Sequence, residues 1–164
     1  MTESSDVLDN TPLQIASDFI TGLQLLFIQT RGASAKFSSE LYQTGVEVRT
    51  RINNAVKFEV LEDNCFEVTQ DLRVIGRKKT EDPVLIDIRC KIISRYKSKE
   101  VISLKTFDHF RKTLLCLQTW PYFREYVQNC TYRAGLPPMI IPFLQVADMS
   151  ELSKEPFTKD PSER

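Results

Sequence analysis

The sequence predicts an α+β domain: a four-stranded antiparallel sheet followed by two C-terminal helices, with a short helix in front. Three observations predict it. Between residues 56 and 92 apolar and polar residues alternate with period two, the mark of strands with one face on a core and one in water. Phe107, Phe110, Leu114 and Leu117 then recur at three- and four-residue intervals, as on one side of a helix. Beyond Pro121, Phe123, Val127, Cys130 and Ala134 repeat that spacing.

Taken in order, residues 1–10 are polar and acidic, with Glu3, Asp6 and Asp9, and are expected to be disordered. Thr11-Pro12 supplies a cap and a first-turn proline, and Leu13, Ala16 and Ile20, with Ile15 and Phe19 beside them, keep a helical period that Gly22 ends. Leu23 to Thr30 reads as a strand, and Leu25, Leu26, Phe27 and Ile28 make both of its faces apolar. Such a strand is covered on both sides or lies at an interface. Gly32 permits a bulge, after which the strand resumes through Phe37. Residues 38–54 are the least legible: turn residues at Gly45 and Asn53-Asn54 fit either a short edge strand or a long connection.

Val56, Phe58 and Val60 oppose Lys57 and Glu59, and Glu62-Asp63-Asn64 has the chemistry of a hairpin turn. Phe66, Val68, Leu72 and Val74 then oppose Glu67, Thr69, Asp71 and Arg73; after a charged loop ending at Pro83, Val84, Ile86, Ile88, Cys90 and Ile92 oppose Asp87, Arg89 and Lys91. A meander-like order of four strands is the simplest arrangement. Residues 97–105 read as a charged connection, with Thr106 opening the next helix. Leu115 and Cys116 widen that helix's stripe, so it is expected to touch two things, its own sheet and a second subunit. On this reasoning Leu25, Phe27, Phe110, Leu114 and Leu117 are candidate contacts between copies of the chain.

Pro121 suits a first helical position and pushes Trp120 out of helical geometry, so the two helices should part there. Gly135 stops the second helix, and Pro137-Pro138 forbids continuation. An apolar ribbon, Leu136 to Val146, follows, broken by Pro142; with its prolines it cannot be a central strand. Residues 147–164 return to a polar, loose composition. The organisation expected is therefore a disordered start (1–10), one domain (11–146) and a flexible tail (147–164).

Composition narrows the chemistry. With 164 residues the chain suits one core, and a formal net charge of zero favours neither nucleic acid nor an acidic substrate. No apolar run is long enough for a membrane span, and the N-terminus has no secretory pattern, so membrane insertion is not expected and the cytoplasm is the default location. Cys65, Cys90, Cys116 and Cys130 are far apart, without zinc-ligand spacing, and are expected to be reduced fillers. His109 is the only histidine, no phosphate loop is present, and Arg124 with Glu125 reads as a surface pair. No catalytic residue, metal or cofactor is therefore expected.

The order Pro121, Tyr122, Arg124, Glu125, then Gly135, Leu136, Pro137, Pro138 and a second proline at Pro142, resembles the C-terminal half of the SecB export-chaperone family. The specific match covers roughly a quarter of the chain. The resemblance implies a SecB-like fold, assembly as a homotetrameric dimer of dimers, and ATP-independent holding of unfolded polypeptides such as preproteins for export. It also implies a client groove between the second helix region and the sheet, to which Trp120, Tyr122, Tyr126, Leu136, Met139 and Ile141 are the candidate contributors. The acidic positions by which export-pathway members dock on the SecA motor fall near Gly32 and Lys36 here, and Arg73, Arg89, Lys91 and Arg95 lie on the sheet. That departure argues against docking on SecA. It is similar to the SecB-like branch paired with toxin–antitoxin systems, whose client is an aggregation-prone antitoxin. The alternative is an oligomeric protein- or nucleic-acid-binding module without holdase activity; against nucleic acid, the outward sheet faces alternate in sign and lack stacking aromatics.

Overall fold

The computed structural model describes residues 19–43, 45–78 and 83–142. The expectations for residues 1–18, for the charged loop at 79–82 and for residues 143–164, including the end of the ribbon, lie outside them. Residues 19–21 are helical and stop at Gly22, whose N–H donates to the Phe19 carbonyl at 3.1 Å.

Four long strands follow, β1 (Gln24–Phe37), β2 (Val48–Val60), β3 (Cys65–Lys78) and β4 (Val84–Lys97), all paired antiparallel in the order β1-β4-β3-β2. Only β2, β3 and β4 form the expected meander. β1 lies beside β4 instead, so residues 38–47 cross the end of the sheet from one edge to the other, about 14 Å at ordinary strand spacing. This crossover is why the segment has no legible period: it holds a single 3₁₀ turn, Ser39–Tyr42, capped by the Ser38 hydroxyl. β2 begins at Val48, well before the clean alternation at Val56, because an edge strand tolerates Arg49, Arg51 and Asn53 on its wet face.

Local expectations hold where side chains decide them. Asp63 and Asn64 both have φ of 56°, and Cys65 N–H donates to the Glu62 carbonyl at 3.0 Å, the geometry of a tight hairpin between β2 and β3. β1 is irregular between Thr30 and Gly32, as expected, and again between Leu25 and Phe27, and continues to Phe37. Gly76 is required by packing: a Cβ there would sit 2.9 Å from both Ile86 Cβ and Val48 Cγ1.

After β4, α1 (Leu104–Phe110) is capped by Ser103, whose hydroxyl accepts from Thr106 N–H at 3.1 Å. Thr106 therefore lies inside the first turn rather than opening it. A π turn, Arg111–Leu115, joins α1 to α2 (Cys116–Arg133) with helical backbone throughout. The junction between the two helices thus lies ten residues before Pro121 and not at it: Arg111 begins the π turn. Trp120 stays helical and buried, while Pro121 sits on the exposed side with Leu117, where the carbonyl that loses its partner lies on the wet face.

The π turn changes which residues are inside. One extra residue per turn rotates the chain, so the stripe begun by Phe107 and Phe110 passes to Leu115, Cys116, Thr119, Trp120, Phe123 and Val127. Leu114 is left half-buried and Leu117 exposed.

Two apolar clusters result. Under α2, Trp120, Phe123 and Val127 pack on Leu72, Val74, Ile88 and Ile92. Under α1, Phe107 and Phe110 meet Phe66 and Tyr96, with Phe58 stacked on Phe107 at 3.8 Å between ring centres. Between them run buried polar residues: Gln70 donates to Asn54 at 3.4 Å, and Asn54 points its amide at Cys116 Sγ, 3.8 Å away.

Candidate functional site

As far as Pro142, the apolar ribbon after α2 does not leave the molecule. Gly135, with φ of 73°, ends the helix: its N–H donates to Tyr132 and that of Leu136 to Thr131, at 3.0 and 3.1 Å. The chain then runs back along α2. Met139 N–H donates to the Thr131 hydroxyl (2.9 Å), Arg124 Nε to the Ile141 carbonyl (2.7 Å) and Trp120 Nε1 to the Pro142 carbonyl (2.9 Å). Helix partners at 131, 124 and 120 in turn mean an antiparallel return. The Tyr42 hydroxyl donates to the Ala134 carbonyl at 2.6 Å, tying the crossover to the same corner.

The six residues expected at a groove therefore divide. Trp120 and Ile141 are 7% and 3% exposed and belong to the core under α2. Tyr126 and Met139 pack partly against that core, Leu136 is half-buried, and Tyr122 is 49% exposed on the outer side of the helix. Arg124, expected at a surface or interface pair with Glu125, donates to the ribbon through its guanidinium. Sequence spacing could not show this, because the return of the ribbon along α2 is a tertiary event.

Large apolar side chains remain exposed nearby: Leu104, Leu117 and Tyr122 on the helices, Tyr132 and Ile140 (70% and 73%) at the turn and on the ribbon. Of the residues expected between copies, Leu25 is exposed at the β1 edge with Leu26, Phe27 is half-buried beneath the Arg95 guanidinium 5.1 Å above its ring, and Leu117 is exposed. Phe110 is fully buried within its own chain.

Burial pushes the Cys90 and Cys116 thiols up to about 11 and the Tyr96 phenol up to about 12, the opposite of an activated nucleophile. Among the described residues no three His, Cys, Asp or Glu side chains converge as a metal site would need. No described helix is long and apolar enough to cross a membrane. On the outer sheet face charges pair across strands: Glu67 accepts from Arg95 at 2.6 Å, and Asp87 is held by Arg73 at 2.7 Å and Arg89 at 2.9 Å. These guanidiniums, Arg73 foremost, hold the Asp87 carboxyl well below the usual carboxylate range.

Neither a family model nor a curated protein matches this chain. Among solved structures, the fold is similar to the SecB-like chaperone Rv1957 of Mycobacterium tuberculosis, solved in complex with a ChAD peptide from the Rv1956 HigA1 antitoxin. The TM-score is 0.65 at 15% identity, covering 80% of this chain and 97% of that one. A protein of unknown function from Streptococcus agalactiae is more distant, with a TM-score of 0.44 at 9% identity over 74% of this chain and 97% of that one. The fold is SecB-like.

Proposed function

We propose that this chain, through one domain spanning residues 11–146, is an ATP-independent chaperone that holds unfolded polypeptides, working as an assembly of its own copies in the cytoplasm. The observation that carries it is the set of large apolar and aromatic side chains left exposed on the helices and the ribbon (Leu104, Leu117, Tyr122, Tyr132, Ile140). A surface of that kind recognises apolar side chains of many sequences rather than one small molecule. Covering about 400 Å² of client would contribute about 10 kcal/mol before the ordering costs of binding, enough to hold a chain and still release it.

The likeness in fold to a chaperone carrying an antitoxin peptide supports a polypeptide client and favours an antitoxin over a preprotein. Gly32 and Lys36, standing where acidic docking residues were expected, point the same way, away from SecA. Tyr122, Tyr126, Leu136 and Met139 contact the client in this reading, while Trp120 and Ile141 fix the ribbon from below. Copies associate through β1. The other edge, β2, is guarded by Arg49, Arg51 and Lys57, whereas Leu25 to Ile28 carry no charge.

Light scattering tests the proposal. A chemically unfolded, aggregation-prone protein is diluted with and without this chain in the absence of ATP. Suppression near one assembly per client, retained in high salt and weakened several-fold by Tyr122→Asp with Leu136→Asp, is the expected outcome. No suppression from a folded sample refutes it.

A further inference from the structure

The outer face of the sheet is polarised, and one end of it gathers arginines. Across β2 and β3, Arg49 stands directly opposite Arg77, and Arg51 follows on the same face. Like charges directly opposite on adjacent strands are destabilising. Arg73 and Arg89 stand opposite each other in the same way, with Asp87 between them. Among the described residues Arg49 and Arg51 are exposed and have no carboxylate within ion-pair distance.

Two depressions open on this end of the face. One, about 460 Å³, has a floor of small residues (Gly32, Ala33, Ser34, Ala55) beside Asp71, Arg73, Arg89 and Lys91. The other, about 380 Å³, is lined by Arg49, Arg51 and Arg77. They meet at Asn53.

We propose that this end of the outer sheet face docks an extended acidic segment of a partner polypeptide, with carboxylates on Arg49 and Arg51. The small-residue floor lets a main chain approach closely, and isolated acidic side chains reach the cations on either side. A nucleic acid fits less well. Its backbone sets a charge at every nucleotide, which would bring phosphates against Asp71 and Asp87, and neither depression is lined by an aromatic ring for base stacking. The surface lies on the opposite side of the sheet from the helices, so this proposal does not depend on the chaperone reading.

Fluorescence anisotropy of the full chain tests it, using a labelled 20-residue Glu/Ser/Gly peptide with isolated glutamates. A Lys/Ser/Gly peptide and a single-stranded RNA of matched length are the comparisons. The expected result is saturable binding of the glutamate peptide that weakens with salt. Arg49→Glu with Arg51→Glu lowers the affinity by about tenfold or more, Arg49→Lys with Arg51→Lys lowers it less, and aggregation suppression is unchanged in each. Should charge reversal disturb folding, judged by circular dichroism, Arg49→Ala with Arg51→Ala is read in its place. Equal binding by wild type and variant, no binding of the glutamate peptide, or tighter binding of the RNA overturns the proposal.

Discussion

At the residue scale Asp87 is the most consequential charge on the sheet. Its carboxylate lies between Arg73 and Arg89, and its folded-state value is depressed below the ordinary 3.8, by Arg73 first. A depressed carboxyl contributes stability that is fully present above its unfolded value and is lost as pH falls through its folded one. Asp87→Asn should therefore cost about 1–2 kcal/mol near neutral pH, the pair being partly exposed. The gap from wild type should close as pH drops below 3.8. Urea midpoints measured from pH 6 to pH 2 decide it; a gap that stays constant with pH would show that the carboxylate's charge plays no part. The sequence placed Asp87, Arg89 and Arg73 on one wet face, but an alternating pattern cannot say which arginine a carboxylate chooses.

At the element scale the helical arm departs furthest from its sequence pattern. Its π turn lets Phe107 and Phe110 serve one cluster and Trp120, Phe123 and Val127 the other, above the buried Asn54 and Gln70 that part them. Pro121 then sits in mid-helix on the exposed side, where it removes one hydrogen bond and contributes no packing to the core. Pro121→Ala should accordingly raise stability by about 1–3 kcal/mol. The measurement is the shift in urea midpoint at constant slope, and a lower midpoint would mean that the ring fixes something the alanine cannot. Gly135, by contrast, was legible as a stop because the left-handed conformation at a helix end is a local demand. Pro121 misled for the opposite reason: a proline permits a helix start but does not compel one when a neighbour such as Trp120 gains more from burial.

At the scale of the whole molecule the two sheet edges are unequal. β2 presents Arg49, Arg51 and Lys57, and β1, which carries Arg31 and Lys36 further along, begins with the exposed Leu25 and Leu26. Under the proposed assembly, Leu25→Lys with Leu26→Lys should raise the dissociation constant between copies by about tenfold or more while leaving the circular dichroism intact. Sedimentation velocity across a dilution series measures this. An unchanged mass distribution would rule out β1 as the edge that pairs. The two basic and apolar surfaces lie on opposite sides of one sheet, so a client and an acidic partner need not compete.

By itself the sequence determined what nearest neighbours and simple periods decide. That includes the alternation of β3 and β4, the Asp63-Asn64 turn, the irregularity at Gly32, the glycine stop and the α+β class with helices last. Each follows from backbone sterics or from one face meeting water, forces that act within a few residues. Tertiary structure alone decided that β1 pairs with β4, that the ribbon folds back onto Thr131, Arg124 and Trp120, and that the helix shifts its stripe at Arg111–Leu115. Those choices weigh burial and hydrogen bonds between residues far apart in the chain. No local pattern records that balance, because its terms exist only once the distant partners meet.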